Sequence, residues 1–563
     1  MDAAIQSTAG QQSSEESSRF RSAVFLQRAE EIGFWWQSPR QVARQLGVPD
    51  SSFRFHLRRR EQLTRDPGLT PSLVRFLESP TGVQFLHRLL VALHLVFGLA
   101  NDCGLRNIGW FLRLSGLDKF LPASYGAQQA FAAKLETRLV EFGQAEEQRL
   151  AAQMPHREIS LCADETFHPQ ICLVAMEPVS NYLVLEQYAP QRDADTWRQC
   201  LDERLVGWPI TVCQIASDEA KALIALAEDR LGAHHSPDLF HVQHETVQAT
   251  SLAMAGQTRR AHEAVADSER HITEQRDQLL ACQEQCPQST HVAELQRQVA
   301  QATAAETEAR QRLAACQQRQ RQATEARHGL SHDYHPIDLE TSRPVTASEV
   351  EQRLSGHFDR LDDLARDAGL SAQAQEKLAK ARRVLHGLQA TIAFFWETVL
   401  SRLASWQLSA TVATWLRDEL LPAVYLERVA AKASTSAERQ RLRARAVEVL
   451  ARARSPDGVW GTLSDAEQAN LLAQARELAN LFQRSSSCVE GRNGQLSLRH
   501  HGLHRLTTRK LGALRVLHNF LIERPDATTA AERFFGSRPE PVMPWLLARL
   551  PVPSRPWQRR TSA

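Results

Sequence analysis

The sequence predicts an α/β core that is split by a large all-α insertion containing an antiparallel helical hairpin and is preceded by short helices. Three observations carry this. Between Ile159 and Leu231 short β-rich runs and helical spacing follow the order β-β-β-α-β-α. From Glu245 onward two long polar helices are separated by a proline. Residues 20–60 have compact helix, glycine turn, helix spacing. At 563 residues the chain is too long for one hydrophobic core. Its net charge of +2 hides basic segments at both ends and a balanced middle. Nine cysteines are scattered without a Cys-x-x-Cys pair, which argues against a zinc site and for a reducing compartment.

Residues 1–18, rich in Ser, Gln and Glu, read as a disordered tail and lack the basic-then-apolar layout of a signal peptide. Residues 19–66 predict a helix-turn-helix domain. A first helix covers Phe20–Gly33, and Ser38 caps and Pro39 opens a second over Arg40–Leu46. Gly47-Val48-Pro49 turns the chain into a third, Ser51–Arg60, with Phe53 and Leu57 inward. This spacing fits a recognition helix in a DNA major groove, with Ser52, Arg54, His56, Arg58 and Arg59 on its exposed face. Residues 67–155 predict a helical second DNA-binding or linker domain. Leu73–Phe97 gives two apolar-faced helices, and Leu105–Leu121 with Ser124–Glu141 repeats the pattern of helix, turn at Gly116 and longer helix. The most apolar stretch, Phe85–Leu99, is too short to span a bilayer and carries His87, Arg88 and His94, which predicts a core helix and a cytoplasmic protein.

Residues 156–244 predict the first part of the sheet. Ile159–Ala163 is an apolar run ending in Asp164. Ile171–Met176 and Tyr182–Tyr188 are strands joined by a turn at Pro178–Asn181. Asp193–Leu205 is a helix with Trp197, Cys200, Leu201 and Leu205 on one side. Ile210–Ala216 is a fourth strand that passes through Ser217-Asp218 into the helix Ala220–Leu231. This is the RNase H-like order, and in it Asp164 and Asp218 meet if the first and fourth strands are neighbours.

Residues 245–330 predict the hairpin. Glu245–Leu280 and His291–Arg327 are Gln- and Ala-rich helices broken at Cys286-Pro287-Gln288-Ser289. Each arm of ~30 residues spans ~45 Å. A spacer, a dimer contact and a clamp on DNA all fit this composition. Residues 331–483 predict an all-α insertion domain, with a loop over His332–Pro344 and a core drawn from Phe394, Phe395, Trp396, Trp406 and Trp415. Trp396 is the candidate for stacking on a flipped base, against ordinary packing. Residues 484–525 return to the sheet, with Glu490 in the closing helix and a second amphipathic helix over Leu506–Ile522. Gly491 and Gly494 near that helix point to a close approach of backbone to DNA or an irregular entry. Residues 526–563 read as a basic, Pro-rich tail.

Two aspartates held together repel unless one is protonated or a cation lies between them. Two Mg²⁺ (or Mn²⁺) ions about 4 Å apart are the arrangement that phosphoryl transfer uses, and a third carboxylate completes it. Glu490 is the candidate, ahead of Glu340, Glu351 and Glu397, because Arg484, Arg492, Arg499, Arg505, Arg509, Lys510 and Arg515 surround it in sequence. Glu165 should point away from the site if Asp164 points toward it.

With Asp164 in LCADETFH, Asp218 in IASDEAKAL, Asp238-x-x-His241 in SPDLFHVQH and Glu490 in CVEGRNG, the chain resembles a DDE-type transposase of bacterial insertion sequences. The resemblance implies that Asp164, Asp218 and Glu490 hold two Mg²⁺ or Mn²⁺ ions and that Asp238 and His241 support the site. Double-stranded DNA would be gripped by Arg54, His56, Arg58, Arg59, Arg492, Asn493, Arg499, Arg505 and Lys510. It also implies hydrolysis at the ends of a mobile element, strand transfer to target DNA, a homodimer or larger assembly on DNA, and a nucleoid-associated location. Two alternatives remain: a non-catalytic, transposase-derived DNA-binding regulator, and a structure-specific nuclease of the same fold.

Overall fold

The computed structural model describes residues 22–32, 34–167, 170–285, 290–503 and 506–556. The expected tail at 1–18, the break at 286–289 and Arg505 lie outside them. Helices α1 (22–31), α2 (Pro39–Gln45) and α3 (Asp50–Thr64) close around Leu26, Ala29, Val42, Ala43 and Phe53. Local chemistry sets their ends. Ser38 and Gln41 form a reciprocal capping box, Pro39 takes the first turn, and Gly47 turns the chain at φ +65°. Next come α4 (Pro71–Leu77) and α5 (Pro80–Leu93), which continues as a π-helical segment to Ala100. The continuous helix Pro80–Ala100 has 21 residues and is long and apolar enough to cross a membrane, longer than the expected Phe85–Leu99. Its inner face, including Leu86, Leu90, Val91 and Leu95, packs into the core that covers the sheet. α6 (Leu105–Leu114) and α7 (Tyr125–Ala151) follow, and α7 extends well beyond the expected Glu141.

The sheet is built from β1 (Arg157–Phe167), β2 (Ile171–Glu177), β3 (Tyr182–Ala189), β4 (Ile210–Ser217) and β5 (His234–Pro237), in the spatial order β3-β2-β1-β4-β5. β1, β2 and β3 form an antiparallel meander, whereas β4 lies parallel to β1 and β5 parallel to β4. The β2–β3 turn closes on the Glu177 carboxylate, which accepts the Val179 and Ser180 amides at 2.9 and 2.8 Å, and on Asn181 at φ +61°. α8 (Ala194–Leu205), capped by Asp193, connects β3 to β4. α9 (Lys221–Ala225) and a π-helical turn to Leu231 connect β4 to β5. β5 is a strand that the sequence pattern does not announce, because His234-His235-Ser236-Pro237 is polar. It is buried through hydrogen bonds: Gln214 Nε2 donates to Ser236 Oγ at 2.6 Å, and Ser217 Oγ lies 3.0 Å from His235 Nε2.

β5 leads straight into α10 (Leu239–Gln285), which is answered by α11 (Thr290–Asp333). Contacts from Gln243 to Arg327, Thr258 to Gln320 and Glu269 to Arg310 show the two running antiparallel. At 47 and 44 residues the arms reach about 70 and 66 Å, longer than expected. The hairpin base joins a second core, where Tyr334, Phe358, Phe395 and Tyr425 are fully buried. That core is formed by α12 (Ala347–Asp367), α13 (Ala372–Arg383), α14 (Leu385–Ser405), α15 (Ala410–Trp415), α16 (Leu421–Lys432), α17 (Ser436–Ala453) and α18 (Asp465–Asn480).

α19 (Ser487–Leu503) and α20 (Thr508–Phe520) return to the sheet. Asn519 of α20 completes the outer edge of β3: its Oδ1 accepts the Leu183 amide at 2.9 Å and its Nδ2 donates to the Leu183 carbonyl at 3.0 Å. The expected tail after residue 526 is instead structured through two helices, α21 (Ala530–Phe535) and α22 (Val542–Arg549). Phe534 stacks on Tyr182 with ring centroids 4.4 Å apart, and Leu546 is fully buried. The composition is basic and Pro-rich, but among the described residues Phe534, Phe535, Val542, Leu546 and Leu550 all pack into the core. Arg555 then reaches Glu78 of the N-terminal region at 2.6 Å.

Candidate active site

The parallel pairing of β1 with β4 ends at Cys162 opposite Ala216. Asp164 and Asp218 each follow that pair by two residues, Asp164 within β1 and Asp218 just past the end of β4, so the two carboxylates stand at matching positions and Asp218 acts on Asp164 electrostatically. β1 itself does not stop at Asp164, as the pattern had implied. It continues to Phe167 against β2, with Asp164 opposite Val174. Glu165 turns the other way, and its carboxylate accepts the indole N–H of Trp197 on α8 at 3.2 Å.

Asp164 sits in a strongly perturbing environment. Burial, reinforced by the charges of Asp218 and Glu490, pushes its carboxyl up to about 6, against hydrogen bonds from the Glu165 amide (2.8 Å) and Asn493 Nδ2 (2.7 Å). Asp218 accepts the Ala220 amide at 3.1 Å.

Glu490 enters in the first turn of α19, where the helix dipole favours a negative charge. The β5–α10 junction fixes that turn. The Asp238 amide donates to the Ser217 carbonyl at 2.9 Å, Ser486 Oγ donates to Asp238 Oδ2 at 2.5 Å, and the Leu239 amide donates to the Arg484 carbonyl at 3.0 Å. His241, in the first turn of α10, places Nε2 3.0 Å from Glu490 Oε1 and 4.0 Å from Asp238 Oδ2. Asp238, His241 and Glu490 offer three donor atoms within 4.8 Å of one another, a group that could hold a cation. Glu490 thus meets His241 and Asp238 more closely than the even Asp164–Asp218–Glu490 triad of the sequence reading implies. Asn493, one turn after Glu490, joins the helix to Asp164, and its own Oδ1 is buried without a hydrogen-bond partner. Gly491 and Gly494 lie within α19 and have no neighbour where a Cβ would sit, so no packing inside the protein demands glycine there.

The basic run around Glu490 is largely neutralised by acids from distant segments. Arg492 forms a buried bidentate pair with Glu186 of β3 at 2.6 and 2.8 Å, which removes it from any DNA-facing role. Arg499 is engaged by Asp102 at 2.7 Å and by the Leu99 carbonyl. Arg509 pairs with Glu136 and Arg515 with Glu147. Lys510 lines a cavity with Glu136, Arg106 and Tyr125.

On α3, Arg54 and Arg58 are exposed, with Arg54 paired to Asp50. Arg59 is instead buried and donates to the Lys119 carbonyl at 2.8 Å. His56 is half-buried beside Arg555, and burial first, then that guanidinium, holds it down at about 4. Trp396 is committed to packing, since its indole N–H donates to the Val345 carbonyl at 2.8 Å and its ring meets Phe395 edge to face.

The class of protein defined so far is a mixed α/β core with convergent carboxylates and a long helical insertion between the second and third of them. Residues 416–562 match a family of unknown function (DUF6399), a span that contains Glu490, Asn493 and the C-terminal helices. No curated protein and no solved structure matches the chain.

Proposed function

We propose that this protein is a DDE-type DNA transposase on an RNase H-like core, binding the ends of a mobile element and performing phosphodiester hydrolysis and strand transfer. The observation that carries the reading is the placement of Asp164 on β1 and Asp218 just past the end of the neighbouring parallel strand β4, with Glu490, held by His241, near enough to raise the Asp164 carboxyl. The strand order β3-β2-β1-β4-β5 is the one this fold uses, and the helix-turn-helix spacing of α1–α3 supplies a DNA-reading element.

The donor set suits a hard divalent cation. Asp164, whose carboxyl is raised first by burial and then by Asp218 and Glu490, would hold Mg²⁺ or Mn²⁺ with those two, and the unpartnered Oδ1 of Asn493 adds a further oxygen nearby. When bound, the ions supply charge neutralisation and a more acidic water at the scissile phosphate. The chain's own contribution is alignment. β1 and β4 fix the two aspartates, Asn493 orients Asp164, and His241 with Asp238 steers the Glu490 side chain. Joining two ends requires a dimer or larger assembly on DNA.

The test is metal-dependent cleavage of a labelled duplex carrying the element's terminal repeats, comparing wild type with Asp164→Asn, Asp218→Asn and Glu490→Gln. All three should lose cleavage by a hundredfold or more while keeping DNA binding. Cleavage that survives Glu490→Gln removes the third ligand from the reading. Ends that are bound but never cut, under Mg²⁺ or Mn²⁺, replace the enzyme with a DNA-binding regulator. Cutting without strand-transfer products leaves a nuclease.

A further inference from the structure

We propose that the cavity between the π-helical end of α5, the first turn of α6, α7 and α20 binds a free nucleoside 5′-monophosphate. It holds about 560 Å³, a volume ordinary for a small-molecule site. One wall is the π-helical segment, the kind of irregularity that helices carry most often at functional sites. Its His94 and Leu99 are buried, whereas Arg106 and Asn107 of α6 and Tyr125 of α7 are exposed. The space therefore runs inward from an exposed rim, a shape that suits one small molecule better than a strand of nucleic acid. Lys510, in the first turn of α20, completes the lining. This site does not depend on the transposase reading, and it gives Lys510 a role other than the expected grip on duplex DNA.

Three features of the lining answer the phosphate, the face and the edge of such a ligand. The phosphate is answered by charge. Lys510 is half-buried and its ammonium forms no ion pair among the described residues, because the acids that attract it are already taken. Glu136 is paired with Arg509 at 2.9 Å and Asp102 with Arg499 at 2.7 Å. Burial pulls the Lys510 ammonium below its usual value, against that attraction, which leaves a poorly solvated cation without a counter-ion. Arg106 also has no acid paired with it among the described residues and borders the same space. Two such cations suit a phosphate monoester, which carries about two negative charges at neutral pH. His94 adds no third charge: burial holds its imidazole below the usual range, and Nε2 lies 2.7 Å from Gln128 Oε1. One phosphate therefore balances the site, and a di- or triphosphate does not. The face of the base is answered by Tyr125, which is 52 % exposed. The Arg106 guanidinium lies 5.7 Å from the centroid of that ring, so the ring is open to a flat partner. For the edge, Asn107 offers a donor and an acceptor on one side chain, the pattern that a base presents in return.

The full-length protein is titrated calorimetrically with AMP, adenosine, ribose 5-phosphate and inorganic phosphate. AMP should bind tightest, with adenosine and ribose 5-phosphate each weaker by about tenfold or more. Lys510→Met and Arg106→Met should each weaken AMP by about tenfold or more, whereas Tyr125→Ala should weaken AMP by about fivefold and leave ribose 5-phosphate unchanged. Cys103 lines the cavity, so AMP should slow its alkylation by about fivefold and leave that of Cys282 on the hairpin unchanged. Lys510→Met removes an ammonium that has no counter-ion and should melt no lower than wild type. Arg106 and Tyr125 are exposed, so their variants carry the test if Lys510→Met does not fold. Absence of AMP binding at millimolar concentration overturns the proposal. So does AMP that binds no tighter than inorganic phosphate, or binding that the Lys510, Arg106 and Tyr125 variants leave intact. A single-stranded oligonucleotide that protects Cys103 better than AMP overturns it as well, since the cavity then holds DNA and not a free nucleotide.

Discussion

Removing the charge at position 164 should make the metal-free protein more stable. The Asp164 carboxyl is held near 6 rather than at its ordinary 3.8. Its folded-state proton affinity is therefore raised. Stability from this group is full below about pH 4 and is lost as the pH climbs through 6. At pH 8 the penalty is about 3 kcal/mol, at about 1.4 kcal/mol per tenfold change in proton affinity. Asp164→Asn escapes it but has only one acceptor oxygen for the two donors that Asp164 now satisfies, the Glu165 amide and Asn493 Nδ2, a loss of about 1 kcal/mol. The net expectation is a gain of about 2 kcal/mol at pH 8 and a loss approaching about 1 kcal/mol well below pH 4, so the two stability curves cross near pH 4.5. Thermal unfolding of Asp164→Asn beside wild type, in EDTA across that range, reads the crossing directly. Mg²⁺ or Mn²⁺ should then raise the wild-type midpoint and leave that of Asp164→Asn in place. A variant that melts below wild type at pH 8, or curves that stay parallel from pH 4 to 8, would refute the electrostatic account of this site.

Arg492→Met strands the buried Glu186 carboxylate and should destabilise the protein by about 3–5 kcal/mol, whereas Arg492→Met with Glu186→Leu should recover most of it. Urea unfolding of the single and double variants decides this, and an Arg492→Met protein of wild-type stability would return the residue to a DNA-facing role. Phe534→Ala removes the ring stacked on Tyr182 and should cost about 3–5 kcal/mol, measurable as a lower melting temperature. A neutral result would mean that the C-terminal helices are appended to the core and not part of it.

What was legible in the sequence was local. The Ser38-Pro39 start, the Gly47 turn and the Pro178–Asn181 hairpin are each decided by a few adjacent residues, and the apolar runs of β1 to β4 mark themselves. The placement of Asp164 near Asp218 followed from strand order alone, once the first and fourth strands were paired. Hidden features depended on partners far along the chain. β5 is polar and buried only because Gln214, Ser217 and Thr391 receive it. The arginines after Glu490 look like a phosphate-binding run until Glu186, Asp102, Glu136 and Glu147 arrive from elsewhere to neutralise them. Composition likewise disguised Phe534 and Leu546, because a Pro- and Arg-rich segment needs few apolar side chains to dock.

The helix that carries His241 is clamped before it leaves the protein. Ala249 and Met254 of α10 are buried in the insertion core, Lys377 Nζ donates to Gln248 Oε1 at 2.6 Å, and Gln257 Nε2 donates to the Ala368 carbonyl at 2.7 Å. Beyond Gln257 the helix runs on to Gln285, a length of about 40 Å. A load on that outer stretch is therefore taken up by the helical insertion first, and the imidazole beside Glu490 is shielded from it.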